Sequence, residues 1–146
     1  MTTMEIVLAA QALASGVMCG VIWFVQVVHY PLFARVDTDA TTYAAENQAR
    51  TGRVVIPPML VEGATAALVA LAPPPGIGRP AALVGLGLVA VLWLSTALVQ
   101  MPLHHRLGTA GHQPETVEAL VRGNWCRTLL WTVRAILALW MLRVAG

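Results

Sequence analysis

The residues from Ile6 to Val28 contain no Arg, Asp or Glu, and this run restricts the fold more than any other feature of the chain. As a helix rising about 1.5 Å per residue it covers roughly 35 Å, more than the roughly 30 Å of a bilayer's hydrocarbon core. No Lys or Arg precedes the run and it is too long for a leader, so it reads as a retained span although Ala12-Leu13-Ala14 imitates a cleavage site. Ala81 to Met101 is a second charge-free stretch. Two weaker ones follow the same logic: Val54 to Leu71, holding Pro57, Pro58 and Glu62, and Leu129 to Val144, holding Arg134 and Arg143.

Composition agrees. Of 146 residues 58% are hydrophobic and 11% charged, with nine Arg, no Lys and seven acids, and mean hydropathy is +0.71. A solvated globule needs about a quarter of its residues charged. The fold class is therefore all-α: a polytopic membrane protein with an antiparallel four-helix transmembrane bundle, read as one domain over 1–146. No long-period repeat or low-complexity tail is evident.

Pro73-Pro74-Pro75-Gly76-Ile77-Gly78-Arg79-Pro80 cannot continue a helix and predicts a tight hairpin between spans two and three. The other two connections, Leu32 to Arg53 and Leu103 to Arg127, emerge on the opposite face. That face carries Arg35, Arg50, Arg53, Arg106, Arg122 and Arg127 against Arg79 and Arg143 near the hairpin. The positive-inside rule makes the six-arginine side cytoplasmic and places both termini outside the cytoplasm, in a multi-pass protein of the cell membrane. Asp37-Thr38-Asp39 offers capping oxygens for a helical extension over Ala40 to Arg50 leading to the Pro57 kink. Pro114 to Arg122 predicts a short interfacial helix after the breaker Gly108–Gly111. The helix of span one is expected to end at Tyr30-Pro31.

Cys19 and Cys126 fall about 15 Å apart along the membrane normal, beyond the roughly 7 Å between Cα atoms that a disulfide tolerates. They should be free thiols. Gly16 and Gly20 form a small-residue motif for close helix packing, and Trp125 and Trp140 suit opposite interfaces.

The informative residues are those that do not belong in hydrocarbon. Gln26 and His29 lie one turn apart near the loop end of span one. Glu62 sits in span two. Gln100 and His104 share a face of span three, with Thr96 one turn deeper. Asn124, Arg127, Trp131 and Arg134 form one stripe of span four. Because spans alternate direction, all fall in the same leaflet. Charged groups there turn inward and find partners, and Glu62 and Arg134, at equal depth, are the expected pair. Two imidazoles, a carboxylate and several amides at the mouth of a bundle also suit a metal or haem site, with His29, His104 and Glu62 as candidate ligands. Trp93 and Trp131 can line an aromatic pocket with Gln26 and Gln100, or simply fill the core. The plain alternative is that His, Gln, Asn and Thr serve as interhelical hydrogen-bond glue. His105 and His112 are expected to be solvated.

Pro31-Leu32, Gln100-Met-Pro-Leu-His-His-Arg-Leu107 and Asn124-Trp-Cys-Arg-Thr-Leu-Leu130 resemble the anthrone oxygenase-like family of small four-helix membrane proteins. His104 stands where that family commonly shows Asn, whereas Asn124 and Arg127 match its motif directly. The resemblance implies oxidation of a polycyclic aromatic ketone to a quinone by molecular oxygen. A base would remove a benzylic proton, and donors would stabilise the enolate. On that pattern His29 or His104 is the base, Arg127 or Arg134 the electrostatic stabiliser and Glu62 the orienter.

Three other readings stay open: a haem- or transition-metal-binding protein with His29 and His104 as axial ligands, a scaffold or accessory subunit, and, last, small-solute transport. Partners are the lipid bilayer and a small hydrophobic molecule, with a homo-oligomer open and the cofactor undetermined between none, haem and a transition metal. There is no Gly-rich phosphate loop, no His-Glu-x-x-His signature, no Cys pair at metal spacing and no basic stripe for nucleic acid.

Overall fold

The structure, a computed structural model, describes residues 2–33, 35–36, 39–110 and 113–145. Four helices long and apolar enough to cross a membrane make up nearly all of it: α1 (Thr3–Phe33), α2 (Ala40–Leu71), α3 (Arg79–Ala110) and α4 (Pro114–Ala145). The chain is an all-α, multi-pass bundle. Large apolar side chains cover its outside, among them Leu13, Leu71 and Leu98, each at least 70% exposed, an area of apolar surface that water would not tolerate and lipid requires.

Each helix has a local cause. Thr2 and Glu5 form a capping box at the start of α1, the Thr2 hydroxyl accepting from Glu5 N and the Glu5 carboxylate accepting from Thr2 N. Ala40–Leu71 includes the expected extension ahead of Pro57, but Asp39 gives α2 no side-chain cap and lies at φ 52; Asp37 and Thr38 lie outside the described residues. Gly76, at φ +84, turns the α2–α3 hairpin against the end of α4, where a Cβ would stand 2.7 Å from the Val144 carbonyl oxygen. That contact leaves room only for glycine.

Three boundaries differ from expectation. α1 continues through Tyr30-Pro31 to Phe33, and α3 through Pro102 to Ala110. In each, one wide π-turn precedes the proline, at Val25–His29 and Thr96–Gln100. There Tyr30 N–H reaches Val25 O and Met101 N–H reaches Thr96 O, both five residues back. A proline ring collides with the carbonyl four residues before it in a regular helix; the π-turn moves that carbonyl aside, so the helix survives. The third difference is α4. Pro114 to Arg122 is no separate interfacial helix but the first turns of one continuous rod, because Val117 and Leu120 bury against Tyr30, Phe33, Ala44 and Leu107.

The paired π-turns expose a repeat that the sequence reading did not register. Val28-His29-Tyr30-Pro31-Leu32 in α1 corresponds to Val99-Gln100-Met101-Pro102-Leu103 in α3, and Asn47-Gln48-Ala49-Arg50-Thr51 in α2 to Asn124-Trp125-Cys126-Arg127-Thr128 in α4. The chain is thus two similar helical hairpins. Among the described residues α1 and α3 each pack on α2 and α4, whereas the backbones of the diagonal pairs stay apart and meet through long side chains.

The halves are not equal. α4 buries a residue at nearly every turn from Thr116 to Met141. α2 buries Ala44 and then no residue fully until Glu62, so this stretch is only partly buried, with Val55 and Met59 packed against the core. Gly16 and Gly20 do not mediate close packing, since a Cβ at either would meet nothing within 4 Å. The close approach is at Gly63, where a Cβ would lie 2.7 Å from the Trp93 ring.

Glu62 and Arg134 bridge the diagonal helices α2 and α4 at the bundle axis. Their side chains are fully buried, with Arg134 Nε 3.5 Å from Glu62 Oε1. Ser15 Oγ donates to Glu62 Oε1 at 2.6 Å and Trp131 Nε1 to Glu62 Oε2 at 3.1 Å, so one carboxylate ties three helices together. Removing one member of such a pair leaves an uncompensated buried charge, at a cost of about 3–5 kcal/mol. Glu62→Leu should lower the thermal unfolding midpoint in detergent sharply, and Glu62→Leu with Arg134→Met should recover most of the loss. Equal damage by the single and double variants would show that the ion pair is not the connection.

Candidate functional site

Beneath the half-buried stretch of α2 lies a cavity of about 450 Å³. Its walls come from α1, α2 and α3, and α4 contributes Arg127. The body is apolar, formed by Met18, Ile22, Val55 and Met59 among others, and the polar groups gather at the loop end: His29, Tyr30, Gln100, His104 and Arg127. A mostly apolar concavity with a few convergent polar groups is the usual form of a small-molecule site.

The π-turns place these groups. His29 and Gln100 are the last residues of the two wide turns, equivalent positions of the repeat. Tyr30 Oη lies 3.1 Å from His104 Nε2 and 3.4 Å from Gln100 Oε1. A phenol has one proton to give. Both contacts are satisfied when Tyr30 donates to Gln100 and accepts from His104 Nε2–H, an arrangement that leaves His104 Nδ1 as the basic nitrogen.

A buried relay holds Arg127. Its Nη1 donates to Asn124 Oδ1 at 3.0 Å, Asn124 Nδ2 donates to Gln26 Oε1 at 2.8 Å, and Gln26 Nε2 donates to the Val121 carbonyl at 3.3 Å. The guanidinium carbon lies 5.2 Å from the centre of the Trp131 ring, a cation–π contact. No carboxylate pairs with Arg127 among the described residues. Four cavity-lining residues carry a buried nitrogen with no hydrogen-bond partner in the protein: His29 Nε2, Gln100 Nε2, His104 Nδ1 and Arg127 Nε. Buried polar groups cost free energy until they are paired, and here they cluster beside one cavity.

The sequence-derived residues therefore divide. His29, Trp93, Gln100, His104 and Arg127 line the cavity. Gln26 and Asn124 stand behind it and hold Arg127, while Trp131 is fully buried core. Glu62 and Arg134 form the separate axial bridge. Glu62 is engaged by Ser15, Trp131 and Arg134, and among the described residues no three of His, Cys, Asp and Glu are grouped to hold a metal ion. His29, His104 and Glu62 thus do not make one ligand set. Trp23 lies partly exposed on the outside of the bundle, donating to Thr132 Oγ1 at 3.0 Å and meeting Trp125 edge-on. Cys19 and Cys126 are both free, and His112 lies outside the described residues.

Tyr30, Asn47, Gln48 and Thr51 line the cavity as well and were not singled out from the sequence. The repeated Asn-x-x-Arg-Thr was the signal available for Asn47 and Thr51. It is also informative about the cavity's origin. Asn124 in α4 bonds Gln26 in α1; the corresponding residues are Asn47 in α2 and Ala97 in α3, where no amide faces the asparagine and both residues line the cavity.

No family model, curated protein or solved structure matches this chain.

The unequal roles of the two asparagines are measurable. Asn124→Ala leaves Gln26 Oε1 and Arg127 Nη1 without their partner, which should cost about 1–3 kcal/mol. Asn47→Ala, at the same place in the other half, should shift stability by no more than about 0.5 kcal/mol. Thermal unfolding of both variants in detergent checks this, and equal losses would contradict it.

Proposed function

We propose that the chain is a membrane oxidoreductase of the anthrone oxygenase-like type, which binds a small aromatic ketone in the cavity and oxidises its benzylic carbon with molecular oxygen. The observation that carries this reading is one apolar chamber into which two imidazoles, an amide and an arginine with no carboxylate partner among the described residues converge. An apolar volume suits a fused-ring substrate, and the polar end supplies what deprotonation next to a ketone needs: a positioned base and donors for the oxygen that gains charge.

In this reaction His104 Nδ1 takes one benzylic proton. The C–H electron pair delocalises onto the ketone oxygen, where Arg127 and the Gln100 amide stabilise it. The carbon then gives electrons to dioxygen and a C–O bond forms. The peroxide takes the first proton back from His104; His29 then removes the second proton from the same carbon as the O–O bond breaks and passes it to the departing hydroxide, giving a carbonyl and water. One ketone and one dioxygen yield one quinone and one water. Tyr30 is a positioning residue that fixes the His104 tautomer. Asn124 and Gln26 position Arg127. The arginine-rich loop end supports a cytoplasmic location for this end of the bundle, with both termini on the other side.

The test is oxidation of anthrone by the protein in lipid nanodiscs, following quinone formation and oxygen consumption above the spontaneous rate. His104→Ala should lower turnover by about a hundredfold or more, His29→Ala should also lower it, and His105→Ala, on the exposed face, should leave it unchanged. Turnover that survives in both His104→Ala and His29→Ala rules the mechanism out.

A further inference from the structure

Some residues that line the cavity are also exposed on the outside of the bundle, and these mark where it opens. Ile56 is 54% exposed, Met101 52% and Trp93 36%, and Ala97 is exposed beside them. All four lie on the facing sides of α2 and α3, within the membrane-spanning segments. None carries a charge. The polar groups of the same volume, Gln100 and Arg127 among them, are buried on its inner side. The opening is therefore apolar and faces the level of the lipid chains.

From this geometry we infer that the α2–α3 flank is a lateral portal through which a lipophilic aromatic molecule passes from the bilayer into the cavity, and that the small side chain at Ala97 keeps it open. The inference rests on the reading that the cavity holds such a molecule. A fused-ring ketone partitions into the membrane, and an apolar rim lets it slide inward without passing through water. The repeat explains why the portal is on this flank. The corresponding α1–α4 interface is closed by the Asn124–Gln26 bond at 2.8 Å, whereas Ala97 replaces the glutamine on the α2–α3 side and Asn47 is left facing the cavity.

A second groove, between α1 and α2, provides the control. It is lined by Gly20, Phe24, His29, Asn47 and Arg50 among others, and a Cβ at Gly20 would have open space. A bulky residue there fills the groove without disturbing the fold. Its rim carries Arg50, paired to Glu46 at 3.3 Å, a charge that the α2–α3 opening lacks.

The experiment is stopped-flow binding of a fluorescent anthracene probe to the full chain in nanodiscs. Ala97→Gln, which restores the missing amide, and Ala97→Leu, a purely apolar plug, should each slow association and dissociation together by tenfold or more, with the equilibrium constant little changed. Gly20→Phe should leave both rates as they are. The route is overturned if the Ala97 variants exchange the probe as fast as the parent, or if Gly20→Phe is the variant that slows exchange. It is equally overturned if the Ala97 variants weaken equilibrium binding with association unchanged, for then the residue belongs to the binding volume. Lack of saturable binding by the parent protein removes the cavity reading itself and the route with it.

Discussion

In a bilayer a polar side chain has no solvent to fall back on, and this constraint organises the molecule. Glu62 and Arg134 are fully buried at the bundle axis, where the carboxylate takes hydrogen bonds from Ser15 and Trp131. One turn and more toward the loops, Gln26, Asn124 and Arg127 satisfy one another in series. Backbone groups meet the same demand through helix, and the two π-turns let that helix run through Pro31 and Pro102 without a break. What remains outside is almost entirely apolar.

Against that closed arrangement the cavity is the exception, and its cause is an imperfect repeat. Two hairpins with the same proline and Asn-x-x-Arg-Thr landmarks would make two similar interfaces between halves. One is sealed by an amide pair. In the other, Ala97 stands in place of the glutamine, α2 buries nothing from 45 to 61, and a chamber of about 450 Å³ results. The unpaired nitrogens of His29, Gln100, His104 and Arg127 gather beside that chamber, and the remaining ones among the described residues are those of Arg134 at the axis. The stabilising ion pair and the candidate site thus lie in different layers: the pair at the axis holds the rods, and a loop-end cluster faces the cavity.

Much of this was legible in the chain. Charge-free runs gave four spans and the all-α class, because length against bilayer thickness leaves little choice. Equal depth and opposite charge made Glu62 and Arg134 partners, as they are. His29, Gln100 and His104 could be placed near one another because alternating spans bring loop ends to the same leaflet. Helix ends at prolines were not legible, since a π-turn depends on three-dimensional carbonyl geometry that residue identity does not announce. The grouping of Glu62 with the histidines failed for a related reason. Depth alone cannot tell the bundle axis from the cavity wall, and Glu62 is on the axis. Gly16 and Gly20 look like a packing motif in one dimension but face outward; Gly63, isolated in sequence, makes the close contact with Trp93.

The central claim is that the partly buried stretch of α2 leaves a ligand-sized chamber within the bundle. Photolabelling in nanodiscs with a diazirine-bearing aromatic probe, followed by peptide mapping, tests it most directly. The account predicts label on Met18, Val55, Met59 and other chamber residues, suppressed by excess unlabelled aromatic compound. Label confined to outward-facing residues such as Leu13 and Leu139, and indifferent to competitor, would contradict it.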